Sequence, residues 1–179
     1  QLGNKIHVNL KAKNENKLGY FKIEIIDSIS PLFFDDYRKI NCLLSSLNIL
    51  REVLPELHSY KTIYNLVSIF YNELKFSNNW IIHYIFWELN LLKEIGFDMN
   101  LKLNSNYITN YENDMIAVKI DNENIQIPKF LIEKKIKDVE NKSVYSALKI
   151  IGKFLEKKIL IPNNLNYPKS RKILENFYK

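Results

Sequence analysis

The chain has 179 residues, 46% hydrophobic and 13% aromatic, with a net charge of +6, which is enough apolar side chain for a single substantial core and excludes a low-complexity chain. One Cys and three His exclude a disulfide framework and a zinc site built from several thiolates, and four Gly supply no glycine-rich phosphate loop. No charged-then-apolar leader and no apolar run of about 18 residues is present, since the run from Trp80 is broken by His83, Glu88 and Asn90. A cytoplasmic protein without a membrane span is therefore expected.

The start at Gln1, without an initiating Met and in the turn-like "QLGN", predicts that preceding residues are missing. "KIHVNLKAK" then alternates Ile6, Val8, Leu10 and Ala12 against Lys5, His7, Asn9, Lys11 and Lys13. "GYFKIEII" alternates Phe21, Ile23 and Ile25 against Tyr20, Lys22 and Glu24. Both read as half-buried strands, joined by "NENKLG" into a hairpin that needs further support. Helical spacing begins after Pro31, with Asp35 and Asp36 in the first turn, Ile40, Leu43, Leu44, Leu47, Leu50 and Leu54 as the stripe, and Pro55 as the stop. A second helix is predicted over about 59–76, on Ile63, Leu66, Val67, Phe70 and Leu74. The third runs from about Asn79 to Gly96, the glycine taking the position just past the helix end. Residues 107–127 return to alternation around "DNEN", a small hairpin. Helix resumes with Ser143 as N-cap, on Val144, Leu148, Ile151, Leu155 and Ile159, and Pro168 opens a last short helix carrying Ile173, Leu174 and Phe177.

Glu88 shares the apolar face of the third helix with Ile81, Tyr84, Ile85, Leu91, Leu92 and Ile95. A buried carboxylate without a partner costs several kcal/mol, so a cationic partner is expected. Arg51, with Arg38 second, is the predicted partner, because Arg stays charged when buried and these are the arginines of the helical body outside the C-terminal region. The role assigned to Glu88 is structural.

The charge is unevenly divided. Residues 1–22 carry five Lys against Glu15 (+4), residues 129–179 thirteen Lys or Arg against five acids (+8), and the middle carries −6. Basic ends flanking an acidic body suggest a polyanion surface, with solvated lysines of an A/T-favoured composition as the alternative. Catalytic signatures are poor. His7, His58 and His83 lie on three elements without metal-ligand spacing; Asp35 with Asp36 suits a helix start better than an acid–base pair; Cys42 sits among leucines as a small hydrophobe. No enzyme, metal or cofactor is expected.

The order of "LGYFKIEII" before "DD", then "LREVLPE", "WELNLLKEIGFDMNL", "IIGKFLEKKIL" and "YPKSRKILENFY" resembles the bacterial RecO family of recombination mediators, especially its alphaproteobacterial branch, over nearly the whole chain. The resemblance implies a mainly α fold with a small β part. Residues 1–28 would be closing strands of a truncated N-terminal OB-fold, and 29–179 a helical C-terminal domain with a hairpin insertion at about 98–128. Many relatives bind zinc through cysteines after the glycine of the central helix. Here "FDMNLKLNSNYITNYENDMIAVKI" has none, so the hairpin is expected either to be held by packing of Tyr107, Tyr111, Ile116 and Val118 or to be loosely ordered.

The implied function is a mediator of DNA repair and recombination that binds single- and double-stranded DNA, anneals complementary strands and works with RecR and single-stranded DNA-binding protein. Lysines supply phosphate contacts, and aromatic faces such as Tyr20 stack on bases. Lys11, Lys13 and Lys17 are the candidates at the N-terminal side; Lys153, Lys157, Lys158, Lys169, Arg171 and Lys172 form a second basic region, with a solvated face plus a structural Arg as its bland reading. Phe154, Ile159 and Phe177 are candidates for the acidic, Phe-ended tail of single-stranded DNA-binding protein. Two alternatives stand beside this: a helical protein-interaction scaffold, and an RNA-binding OB-type module.

Overall fold

A computed structural model describes residues 2–12, 14, 18–101, 115–120 and 123–179 of the chain. The fold is mainly helical, with two small antiparallel sheets. Strands β1 (Lys5–Lys11) and β2 (Tyr20–Asp27) lead through a 3-10 turn (Ser30–Phe33) into helices α1 (Tyr37–Val53), α2 (Lys61–Phe76) and α3 (Trp80–Glu94). Strands β3 (Met115–Ile120) and β4 (Glu123–Pro128), the short α4 (Lys129–Glu133), α5 (Asn141–Leu155), a π-helical turn (Glu156–Leu160) and α6 (Lys169–Asn176) complete it.

Helix α3 is the axis of the core, because apolar residues cover most of its circumference: Ile81, Ile82, Tyr84, Ile85, Trp87, Leu91 and Leu92 are all buried. Helix α2 lays Phe70 against it, its ring stacked on Trp87 at 5.2 Å between centroids and edge-on to Tyr84 at 5.7 Å. From the other side α5 contributes Ala147, Leu148, Ile151 and Leu155, none of them exposed. Each such Leu or Ile side chain contributes about 1.5–3 kcal/mol through burial. Helix α6 lies on α1.

Local chemistry sets the helix ends. The Asp36 carboxylate accepts hydrogen bonds from the backbone N–H groups of Arg38 (3.1 Å) and Lys39 (3.0 Å), satisfying two orphan donors at the start of α1. At the end of α3, Gly96 adopts φ 92°; its N–H reaches the carbonyl of Lys93 and that of Phe97 the carbonyl of Leu92, the paired bonds of a Schellman stop. Helix α5 begins two residues before the predicted Ser143 cap, with Glu140 as the flanking residue whose carbonyl receives the N–H of Val144 at 3.0 Å. Its stripe runs on through Ile159, but a π-turn carries the end of it, closed by the N–H of Ile161 on the carbonyl of Glu156 at 2.9 Å. The wider turn lets the adjacent Ile159 and Leu160 both point inward.

The two hairpins differ in what covers them. In β3–β4, Ile116 pairs with Ile127 and both are buried, β4 lying against α5. The described part of this hairpin starts at Met115; the predicted stretch from 107 to 114, with Tyr107 and Tyr111, and the side chain of Val118 lie outside the described residues. In β1–β2 the expected apolar face forms, with Ile6 opposite Ile25, Val8 opposite Ile23 and Leu10 opposite Phe21. These six side chains are 44% to 65% exposed, however, so the strands are not half-buried. Alternation aligns the apolar side chains on one face but cannot supply an element to lie on it. Among the described residues the hairpin is tied down at its base, where the Asn4 side chain accepts from the Ile29 N–H at 3.1 Å and Lys75 donates to Asp27 at 2.5 Å. Among the described residues no helix is long and apolar enough to cross a membrane.

Candidate nucleic-acid interface

Glu88 is buried as expected, but its partner is Arg171, 83 residues further on. Arg171 Nε donates to Oε1 at 3.0 Å and Nη2 to Oε2 at 3.0 Å; Nη2 also donates to the Leu148 carbonyl at 2.7 Å, and the guanidinium lies over the Tyr84 ring at 5.8 Å. One side chain thereby joins α6, α3 and α5. Burial pushes the Glu88 carboxyl above its ordinary value and the Arg171 guanidinium pulls it back. Burial also opposes the charge on Arg171, but the Glu88 carboxylate, joined by Tyr84 and Tyr167, more than offsets it and holds the guanidinium charged. The predicted partner Arg51 is 74% exposed and pairs with its neighbour Glu52 at 2.9 Å. It sits in the last turn of α1 on the solvent side, while Arg38 lies exposed at the other end with its guanidinium over Phe177 at 5.9 Å.

This placement removes Arg171 from the predicted phosphate-binding set. A side chain with no exposed surface and a carboxylate already in its fork cannot reach a backbone phosphate. The remaining C-terminal candidates do face solvent: Lys153 on α5, Lys157 on the π-turn, and Lys169 with Lys172 one turn apart on α6 are exposed, and Lys158 is half-buried. The helical geometry adds two residues that sequence reading passed over. Lys142, Lys149 and Lys153 are spaced by seven and four, share one side of α5 and are all exposed. That spacing was available in the sequence.

On the hairpin, cross-strand register sets Lys11 directly opposite Tyr20, which is 65% exposed. A cation beside an exposed aromatic face is the pairing that a single strand uses, phosphate on one and base on the other. Along the same face Lys22 is bound to Glu24 at 2.8 Å, and at the base Lys5 turns back over the Tyr64 ring at 5.7 Å. Lys13 and Lys17 lie outside the described residues.

The three apolar candidates for a partner tail do not line one slot. Ile159 lines a cleft of about 540 Å³ whose charged side chains are Glu52 and Glu94, and neither Phe154 nor Phe177 reaches it. Phe177 is half-buried, edge-on to Tyr37 at 5.5 Å and beneath Arg38. No group of three or more His, Cys, Asp or Glu able to hold a metal ion occurs among the described residues. Cys42 is buried, and burial pushes its thiol up.

Comparison with known proteins gives a consistent set of relatives. The chain is 28% identical to the DNA repair protein RecO of a Wolbachia from Drosophila simulans, over 97% of this chain and 80% of that protein. It is 38% identical to the RecO protein of Ehrlichia chaffeensis over 56% of this chain and 42% of that protein. To RecO of Anaplasma marginale strain Florida it is 26% identical, covering 97% and 79%. No family model and no solved structure matches the chain.

Proposed function

We infer, from the premise that this chain belongs to the RecO family of DNA repair proteins, that it acts in the cytoplasm as a non-enzymatic mediator of recombination. On this reading it binds single- and double-stranded DNA, anneals complementary strands and works with RecR to load recombinase. The observation that carries the reading is the match to RecO proteins over nearly the whole chain. Two features support it physically. The hairpin β1–β2, read here as part of an OB-type barrel, pairs exposed Lys11 with exposed Tyr20. The exposed lysines of α5 and α6 supply sequence-independent phosphate contacts.

As partner for the acidic tail of single-stranded DNA-binding protein, the side of α6 with Phe177 under the Arg38 guanidinium offers an aromatic ring and a cation together. The carboxylate-rimmed cleft at Ile159 repels such a tail.

Electrophoretic binding to single-stranded DNA, duplex DNA and matched RNA over a salt series tests the reading, together with the rate of strand annealing. Both DNA forms should bind, with log affinity falling linearly with log salt, and annealing should accelerate. Absence of DNA binding at low salt returns the helical scaffold as the better account; a clear preference for RNA favours the RNA-binding alternative.

A further inference from the structure

The acidic middle of the chain has no part in a phosphate-binding surface, yet the fold gathers some of it at one place. The cleft of about 540 Å³ lies where α1 and α3 both end: Val53 and the cap Leu54 come from α1, Glu94 and the cap Ile95 from α3. Its wall is apolar, with Ile63, Phe97, Ile159 and Leu165 among the side chains that line it. The two charged side chains that line it, Glu52 and Glu94, are both carboxylates. Two helix C-termini add the partial negative charge of their last carbonyls, against one N-terminus, that of α2 at Tyr60. Arg51 neutralises part of Glu52, but Glu94 is exposed and has no partner among the described ion pairs.

We propose that this cleft is a docking site for a segment of a partner protein carrying an aliphatic or aromatic anchor flanked by lysine or arginine. The apolar wall takes the anchor, and the carboxylates with the helix ends hold the flanking cations. The complementarity of charge fixes the sign of the ligand: an acidic peptide is repelled, and a neutral apolar one leaves the rim unsatisfied. This assignment goes beyond nucleic-acid binding and does not depend on it.

The test uses fluorescein-labelled peptides and the full chain without DNA. Lys-Lys-Leu-Phe-Lys-Lys should bind, with backbone amide shifts in a 15N-labelled sample centred on Phe97, Ile159 and Leu165. Lys-Lys-Ser-Ser-Lys-Lys and Glu-Glu-Leu-Phe-Glu-Glu should bind at least about tenfold more weakly. Reversing both rim charges, Glu52→Lys with Glu94→Lys, should weaken the first peptide by about tenfold. Should circular dichroism find that pair unfolded, Glu94→Lys alone carries the test, since Glu94 is exposed, with a drop of about threefold. Equal binding of the acidic peptide, equal binding of the serine peptide, an unchanged affinity in the folded rim variant, or shifts centred on the β1–β2 hairpin would each overturn the proposal.

Discussion

The hydroxyl of Tyr167 closes over Gly152, standing where a β-carbon on that residue would be and leaving no room for one. Gly152 is buried in the last turn of α5, where the helix runs on into the π-turn, so its role is close approach and not backbone freedom. The same hydroxyl is buried with no hydrogen-bond partner among the described residues. Gly152→Ala should therefore destabilise the fold by roughly 1–3 kcal/mol despite the better helix propensity of alanine. Tyr167→Phe removes the clashing atom and should be neutral or mildly stabilising alone, and should restore most of the loss in the double variant. Urea unfolding of the four proteins measures the coupling; additive effects would contradict it.

Breaking the Glu88–Arg171 pair should be costly in either direction. Glu88→Ala or Arg171→Ala leaves one buried ion uncompensated, and each should lower stability by about 3–5 kcal/mol. Arg171→Lys should rescue little, because an ammonium cannot reproduce the fork onto both Glu88 oxygens and the bond to the Leu148 carbonyl. Chemical unfolding gives the loss, and DNA affinity measured on the folded fraction should stay near that of the unaltered chain.

Stability should fall steeply in alkali. Burial, relieved slightly by the Ser46 hydroxyl, raises Tyr71 from 10.0 to about 12. Tyr84, Tyr167 and Tyr178 are likewise raised, each chiefly by burial. The folded chain thus keeps protons that the unfolded chain releases. The contribution is complete below the unfolded value of 10.0 and is lost as the pH rises through the folded values, for Tyr71 between 10.0 and about 12. Absorbance of tyrosinate and loss of helical dichroism should rise together in that window. Four independent titrations near the ordinary value, preceding any unfolding, would contradict the burial.

Charge changes on the hairpin should leave the helical body alone. Ile23→Lys replaces a side chain that is 57% exposed and should change the unfolding free energy by less than about 0.5 kcal/mol while reducing binding of apolar dyes. Leu148→Ala, at the centre of the core, should cost about 2–5 kcal/mol. Similar losses from both would mean that the hairpin's apolar face is covered.

Features set by neighbouring residues were legible in the sequence, and those set by distant ones were not. The stop at Gly96 depends on a handful of adjacent residues and was foreseen, whereas α1 was expected to begin after Pro31 with Asp35 and Asp36 in its first turn; a 3-10 turn takes Ser30–Phe33 instead, and Asp36 caps a helix that starts at Tyr37. The burial of Glu88 follows from its place in a helical stripe, so it too could be read. Its partner could not, because Arg171 stands in the strongly polar run "PKSRK", where nothing local distinguishes an inward guanidinium from the outward Lys169 and Lys172. The π-turn was hidden by an apolar spacing that fits an uninterrupted helix, and α4 is too short at five residues to establish a period. The lysine row on α5 was overlooked although its spacing was in view.

The separation of Glu88 from Arg171 also orders events during synthesis. At about 5–20 residues per second, on the order of ten seconds pass between the appearance of the carboxylate and that of its guanidinium. Until then Glu88 lacks this counter-ion, and a collapse of α1, α2 and α3 around it would leave the carboxylate either open to solvent or protonated. A nascent chain interrupted before Arg171 should therefore be more open to proteolysis than one that includes it. The last helix acts as a latch whose arrival marks the core as finished.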